Sequence, residues 1–177
     1  MSVLVVIAVA EEARYLPDEF DWTLTGIGKS AAAIATTRTI LEQRPSLVVN
    51  AGTAGALRDG LTGLHEIGTV ENHDMNAEAI RALGLDPHER IRLSDSDLVL
   101  ASGDVFVNDP AMKTRLAVDH DLVDMEGYAV ALACEELGVP LRMVKHVSDE
   151  ADESANDWLT AVDRSARELA DWLRENV

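Results

Sequence analysis

The sequence is poor in cysteine, in positive charge and in long apolar runs, and each scarcity excludes a class of protein. Its single cysteine, Cys134, cannot form a disulfide within the chain, which favours a reducing compartment and predicts a cytoplasmic location. Cys134 lies in an apolar helical stretch, so we expect a small buried side chain there rather than a nucleophile.

Positive charge is scarce throughout the chain. The 15 Lys and Arg residues are outnumbered by 32 Asp and Glu residues, which gives a net charge of −17. A field of that sign repels polyanions, so we expect no nucleic-acid partner. A small neutral or cationic ligand is the better match to such a surface.

No apolar run approaches the length that crosses a bilayer, so we expect no membrane association. The first ten residues are apolar but contain no basic residue and lead directly into Glu11 and Glu12. They therefore predict a first strand rather than a signal peptide. A chain of 177 residues, 47% of them hydrophobic, can bury one core, and we predict a single domain over residues 1–177.

Strand and helix patterns alternate along the chain. The run at residues 3–9 is rich in β-branched residues, which is typical of a strand covered on both faces. Further strands are predicted at 22–25, 47–50, 67–70, 98–101 and 141–147, and a short strand is predicted to begin at residue 122. Helices are predicted at 30–43, 76–83, 110–117, 126–137 and 157–175. Residues 51–56 are predicted to form a tight turn and 86–90 a loop. This order predicts an α/β fold, a three-layer αβα sandwich around a mixed, mostly parallel sheet.

Two familiar ligand motifs are incomplete. The segment Gly28-Lys29-Ser30 resembles the end of a phosphate-binding P-loop, but the glycine that motif requires five positions earlier is replaced by Thr23. The five histidines lack the spacing of a metal site, and for His73 we expect a hydrogen bond within its loop. The sequence therefore predicts no metal and no organic cofactor.

Polar or glycine-rich sequence follows four of the predicted strands, at residues 10–12, 52–55, 102–107 and 148–149. Each segment alone is typical of a turn or a helix cap. Ligand sites in open α/β folds lie at the carboxyl ends of strands, so the four together predict one site. Neighbouring residues on a strand point to opposite faces, so either Lys145 or His146 should face that site.

Six segments, in order and over most of the chain, resemble the purine nucleoside phosphorylase/nucleosidase superfamily. The resemblance is strongest to its methylthioadenosine/S-adenosylhomocysteine nucleosidase branch. The segments are Ala-Val-Ala-Glu-Glu at 8–12, Thr-Gly-Ile-Gly-Lys at 25–29, Val-Val-Asn-Ala-Gly-Thr-Ala-Gly at 48–55, Ser-Gly-Asp-Val-Phe at 102–106, Val-Asp-Met-Glu at 123–126 and Val-Ser-Asp at 147–149. The resemblance implies a nucleoside phosphorylase/hydrolase-like fold, a purine nucleoside as ligand and assembly as a homodimer.

The resemblance also implies roles for individual residues. Asp149 corresponds to the general acid that protonates N7 of the leaving purine, and Glu12 to the acid that orients the attacking water. Glu126 corresponds to the carboxylate that holds the ribose hydroxyls. Further substrate contacts are implied for Met125 under the sugar, Phe106 and Val107 at the base, Thr53 near the sugar and Ser148 beside the general acid.

These roles agree with the chemistry of N-glycosidic cleavage, which passes through an oxocarbenium-like state as glycoside hydrolysis does. The leaving base needs a proton donor that stays protonated near neutral pH. We expect partial burial and the neighbouring carboxylates Glu12 and Glu126 to raise the pKa of Asp149 for that task.

The nucleophile is predicted to be water. Phosphorylases of the superfamily place Arg where this chain has Asn50, and a carboxylate at Glu12 would repel phosphate. Three alternatives stay open: a phosphate-dependent phosphorylase, a hydrolase of another nucleoside of the futalosine kind, and a binding protein without turnover. The segment 57–102 is short for this family, which leaves the 5′ substituent open, and residues 57–64 are a candidate apolar contact surface.

Overall fold

The computed structural model describes residues 2–177. Its strands are β1 (Val3–Ile7), β2 (Asp21–Leu24), β3 (Leu47–Ala56), β4 (Leu64–Glu66), β5 (Thr69–Asn72), β6 (Arg90–Arg92), β7 (Val99–Ser102), β8 (Leu122–Asp124) and β9 (Leu141–Asp149). Its helices are α1 (Lys29–Gln43), α2 (Ala77–Ala82), α3 (Pro110–Leu116), α4 (Gly127–Leu137) and α5 (Trp158–Asn176), with a 3₁₀ turn at Glu153–Asp157. No helix within residues 2–177 is long and apolar enough to span a membrane.

The nine strands of the described chain join one sheet. Its main path runs β2-β1-β3-β8-β7-β5-β6, and β9 pairs with both β3 and β4 beside that path. Five pairings are parallel (β1 with β2, β1 with β3, β3 with β9, β5 with β7, β7 with β8). Three are antiparallel. The predicted mixed, mostly parallel sheet is confirmed.

Helices cover both faces of the sheet, as the alternation along β1 shows. Leu4 and Val6 pack in a cluster with α1 and α4, whereas Val5 and Ile7 pack with Leu169 and Leu173 of α5. Full burial of such a side chain contributes roughly 1.5–3 kcal/mol. The predicted three-layer αβα arrangement is confirmed, and burial on both faces explains why the strand sequences read as continuous apolar runs.

The predicted turn at residues 51–56 is wrong, because β3 continues through it to Ala56. The small residues there allow β9 to run alongside for its whole length, with a bulge between Ala54 and Gly55. A Cβ at Gly55 would lie only 2.9 Å from Oδ1 of Asp149. The small-residue run therefore serves a close approach of two strands rather than a chain reversal.

Two short strands, β4 and β6, were not predicted, because three residues are too few to show a period of two. The segment 57–64 is also not the exposed apolar surface that the sequence suggested. Leu57 is buried in a cluster with Ala101 and Leu116, and only its polar neighbours are exposed.

Candidate active site

A cavity of about 330 Å³ opens at the carboxyl ends of β1, β3, β7, β8 and β9. Its volume falls within the range of small-molecule sites. The structure brings all eight predicted site residues to its wall: Glu12, Thr53, Phe106, Val107, Met125, Glu126, Ser148 and Asp149. The strand ends that the sequence predicted to form one site therefore lie together in the fold.

Glu12 lies in the turn after β1 and is held by Thr53 of β3. The backbone N–H and the hydroxyl of Thr53 each donate a hydrogen bond to Oε1 of Glu12, both at 2.7 Å. The other carboxylate oxygen, Oε2, is buried and accepts no hydrogen bond from residues 2–177. Burial raises the pKa of Glu12 above its usual range, against the lowering effect of the Thr53 bonds and of Lys145.

Lys145 is the buried cation of the site. Its Nζ lies 2.8 Å from Oδ2 of Asp124, and it flanks Gly52 together with the Glu12 carboxylate. Burial opposes its charge, but Asp124 and the other acids outweigh burial and raise the pKa of Lys145. His146 points to the opposite face, where Nδ1 lies 2.9 Å from the Ser165 hydroxyl. Lys145 therefore lies on the side of the sheet that carries Glu12 and Asp124, but it does not line the cavity itself.

Glu126 precedes α4 and reaches across the cavity to the loop before α1. Its Oε1 accepts a hydrogen bond from the backbone N–H of Gly28 at 2.8 Å. Burial, followed by the nearby charge of Asp124, raises the pKa of Glu126 to about 7. The site thus holds three buried acids, Glu12, Asp124 and Glu126, around one ammonium group.

Asp149 ends β9 with both carboxylate oxygens engaged. Oδ1 accepts a hydrogen bond from the Ala151 N–H at 2.9 Å, and Oδ2 accepts one from the Ser148 hydroxyl at 2.7 Å. These two donors hold the carboxyl plane in one orientation. Ser148 therefore contacts Asp149 as well as the cavity.

The loop after β7 forms an apolar part of the wall. The Phe106 side chain is half exposed toward the cavity, whereas Val107 is buried beneath it. An exposed ring beside a cavity is a suitable platform for a flat aromatic ligand.

Two lining residues, Trp158 and Leu159, lie outside every segment that the sequence assigned to the site or to the resemblance. The indole Nε1–H of Trp158 donates to the Thr53 hydroxyl at 3.0 Å, which extends the series of hydrogen bonds from Glu12 to α5. Leu159 belongs to the apolar stripe predicted for α5 yet is 72% exposed. The apolar stripe therefore extends beyond the core in the first turn of α5.

Asn50, which entered the sequence argument about the nucleophile, does not line the cavity. Its amide donates to the Val6 carbonyl at 3.0 Å and so joins β3 to β1. The preference for water therefore rests on Glu12 and the other lining acids.

Neither the histidines nor the cysteine adds a metal or nucleophile site in the described chain. No group of three or more His, Cys, Asp or Glu residues within 2–177 is arranged to hold a metal ion. The hydrogen bond expected of His73 within its loop is not found: both ring nitrogens lack a partner within residues 2–177, and only the backbone N–H donates, to the Ser102 carbonyl of β7 at 3.1 Å. Cys134 is buried, as predicted, and burial raises the pKa of its thiol to about 12.

A family profile described as the phosphorylase superfamily matches residues 73–176. The chain belongs to this superfamily. One curated relative, a 5′-methylthioadenosine/S-adenosylhomocysteine nucleosidase from an Exiguobacterium species, is 30% identical in an alignment that covers 75% of this chain and 68% of that protein. An aminodeoxyfutalosine nucleosidase from Helicobacter pylori is 30% identical in an alignment that covers 85% of this chain and 76% of that protein.

Solved structures of the phosphorylase superfamily share the fold. The 5′-methylthioadenosine/S-adenosylhomocysteine nucleosidase from Helicobacter pylori, bound to butyl-thio-DADMe-Immucillin-A, superposes with a TM-score of 0.87 at 25% identity, covering 99% of this chain and 97% of that one. These relatives are nucleosidases. The predicted family, the predicted nucleoside phosphorylase/hydrolase-like fold and the prediction that the chain is an N-glycosyl hydrolase are confirmed.

Proposed function

We propose that this protein hydrolyses the N-glycosidic bond of a purine nucleoside of the methylthioadenosine/S-adenosylhomocysteine type. The products are the free base and a ribose derivative. The observation that carries the proposal is the state of Glu12, a residue of the cavity wall with one buried carboxylate oxygen that has no hydrogen-bond partner within residues 2–177, in the same cavity as Asp149.

Glu12 is suited to activate water. Thr53 occupies Oε1 with two hydrogen bonds, so Oε2 is the oxygen that can accept a proton from a water at the sugar. Its raised pKa makes the carboxylate a stronger base than an exposed one.

Asp149 is suited to act on the leaving base. Its carboxyl group is oriented by Ala151 and Ser148. Phe106 provides a surface on which the purine ring can stack. A base held there would present N7 to Asp149, and proton transfer to N7 would release the purine as a neutral molecule.

Glu126 is suited to the sugar. A carboxylate accepts hydrogen bonds from two hydroxyls, and its negative charge favours the positive charge that develops on the ribose ring. The Gly28 N–H holds one of its oxygens, and Met125 beside it provides an apolar contact for the sugar.

Water is favoured over phosphate by the charge of the wall. The charged residues that line the cavity within the described chain are all acids: Glu11, Glu12, Asp124, Glu126 and Asp149. The nearest buried cation, Lys145, is already paired with Asp124. A phosphate dianion needs cationic or N–H donors, and this wall supplies repulsion instead.

A panel of nucleosides, incubated with and without phosphate and analysed by chromatography of the released base, tests the proposal. We expect adenine from methylthioadenosine at the same rate in both conditions. Release only with phosphate, together with a ribose 1-phosphate product, would establish a phosphorylase. Tight nucleoside binding with no product over hours would establish a binding protein.

A second substrate is raised by the relatives. The aminodeoxyfutalosine nucleosidase from Helicobacter pylori matches 85% of this chain at 30% identity, as much as a 5′-methylthioadenosine/S-adenosylhomocysteine nucleosidase from Staphylococcus haemolyticus does. We therefore include aminodeoxyfutalosine in the panel. A kcat/KM higher than that for methylthioadenosine would reassign the physiological substrate.

We further propose a cytoplasmic homodimer. The apolar side chains of Ile27, Val105, Phe106 and Leu159 are between 47% and 72% exposed around the cavity mouth. A second copy covering that rim would remove them from water and close the cavity. Light scattering at micromolar concentration should give twice the chain mass of 19.2 kDa. A monomer at that concentration would refute the dimer.

A further inference from the structure

Lys29 connects three loops at the carboxyl edge of the sheet. Its Nζ donates to Oδ1 of Asn72 at 2.6 Å, forms an ion pair with Asp74, and lies 4.0 Å from Oδ2 of Asp104. Asn72 ends β5 and Asp74 follows it, whereas Asp104 follows β7. One ammonium group therefore joins the start of α1 to the ends of two parallel strands.

Backbone hydrogen bonds complete the cluster. The Lys29 N–H donates to Oδ1 of Asp104 at 2.7 Å, and the Asp104 N–H donates to Oδ2 of Asp74 at 2.7 Å. Gly28, with φ of 89°, leaves the room that this approach needs, because a Cβ there would lie 3.0 Å from Oδ1 of Asp104. The loops are tied to each other by main chain as well as by charge.

The tied loops carry two parts of the cavity. Gly28, adjacent to Lys29, donates its N–H to Glu126. Asp104 lies two residues before Phe106 and three before Val107, which line the cavity. A shift of either loop would move the proposed ribose ligand or the proposed base platform.

We infer that Lys29 is a positioning residue for the base and sugar subsites, an inference that rests on the proposed nucleosidase function. Lys29 does not line the cavity. It neutralises Asp74 and Asp104, which would otherwise repel each other across the junction of the loops, and so holds residues 103–107 and the Gly28 N–H in the binding geometry. The lysine that resembles a P-loop residue in sequence thus binds carboxylates of its own chain.

The expected kinetic effect follows from the population of the binding-competent loop. Apparent affinity falls by the fraction of molecules that hold the competent conformation. If Lys29→Met lowers that fraction to about one tenth, KM rises about tenfold while kcat changes by less than about threefold. Lys29→Arg retains the charge and should recover most of the wild-type KM.

Hydrogen exchange tests the inference independently of turnover. We expect amides of residues 26–29 and 103–107 to exchange faster in Lys29→Met, with β1 and β9 unchanged. Asp74→Asn should change exchange at the same amides, and the effect of the double variant should be smaller than the sum of the two single effects, because both single variants remove the Lys29–Asp74 ion pair. Lys113→Met is the matched control: Lys113 also lies between carboxylates, Asp59 and Glu150, with a similarly buried side chain, but on helix α3 and away from the Lys29 loops.

Unchanged exchange at residues 26–29 and 103–107 in Lys29→Met would overturn the inference, as would an unchanged KM. A fall in kcat at constant KM would also overturn it, because that pattern assigns Lys29 to the chemical step. If the wild-type protein releases no base from any nucleoside, the proposed function fails, and the exchange data alone decide whether Lys29 holds the loops.

Discussion

Thr53 donates two hydrogen bonds to the same oxygen of Glu12, one from its backbone N–H and one from its hydroxyl, each at 2.7 Å. The hydroxyl in turn accepts a hydrogen bond from the indole of Trp158. The rotation of the Glu12 carboxylate is thereby fixed, and Oε2 is buried without a hydrogen-bond partner within residues 2–177. This asymmetry between the two oxygens is the basis of the assignment of Glu12 as the base.

Glu12→Gln should lower kcat by a factor of about 10²–10⁴, because an amide cannot take a proton from water. The substitution preserves the shape of the side chain, so thermal stability should not fall greatly. Initial rates of adenine release measure the effect. Glu42→Gln, on the exposed face of α1, removes an acid outside the cavity and should leave the rate unchanged. Wild-type turnover in Glu12→Gln would show that water is activated by another group.

Asp149→Asn should lower the rate of adenine release by a similar factor of about 10²–10⁴, since the leaving purine then receives no proton. A riboside with a p-nitrophenyl leaving group needs no proton to depart. We therefore expect Asp149→Asn to hydrolyse that compound at nearly the wild-type rate, whereas Glu12→Gln should not. Equal losses on both substrates in Asp149→Asn would contradict the role of general acid.

The pH dependence of stability should report Glu126. Its pKa is raised from 4.5 to about 7 in the folded protein, so the folded state binds more protons than the unfolded state between these values. The contribution is fully present below pH 4.5 and is lost as the pH rises through 7. Relative to Glu126→Gln, the wild-type free energy of unfolding should fall by at most about 3 kcal/mol across this window.

Denaturant titrations of both proteins at pH 5 and pH 8 measure this difference. Glu126→Gln is the required reference because Glu12 also has a raised pKa and contributes in the same direction. A gap between wild type and variant that does not change with pH would show that Glu126 does not titrate in this range.

Lys145→Met should destabilise the fold by about 3–5 kcal/mol, because it leaves Asp124 buried without its cation. The side chains of Lys145 and Asp124 are only 3% and 2% exposed. The matched change Lys113→Met removes a cation whose partners, Asp59 and Glu150, are well exposed, and should cost less than about 1 kcal/mol. Denaturant midpoints compare the two variants. Equal losses would mean that burial of the Lys145 pair has no special role.

The elements that could be predicted from sequence are those with a repeating pattern. The helices α1, α4 and α5 begin and end within one or two residues of their predicted bounds, because α1 and α4 are rich in Ala and α5 carries an apolar stripe at helical spacing. The course of β3 could not be predicted, since Gly52 and Gly55 are as typical of a turn as of two strands in close contact. Trp158 likewise showed only a helical pattern, and its contact with Thr53 depends on a residue 105 positions away.

The sequence by itself determined the fold class, the family and the set of polar strand ends, because these depend on local periodicity and on residue types in a fixed order. Only the tertiary structure decided how the charges are used. It pairs Lys145 with Asp124, turns Asn50 toward Val6, leaves one oxygen of Glu12 without a partner in the described part of the chain, and places Lys29 between Asp74 and Asp104. The electrostatic role of each group depends on its burial and on neighbours distant along the chain, and no local pattern contains that information.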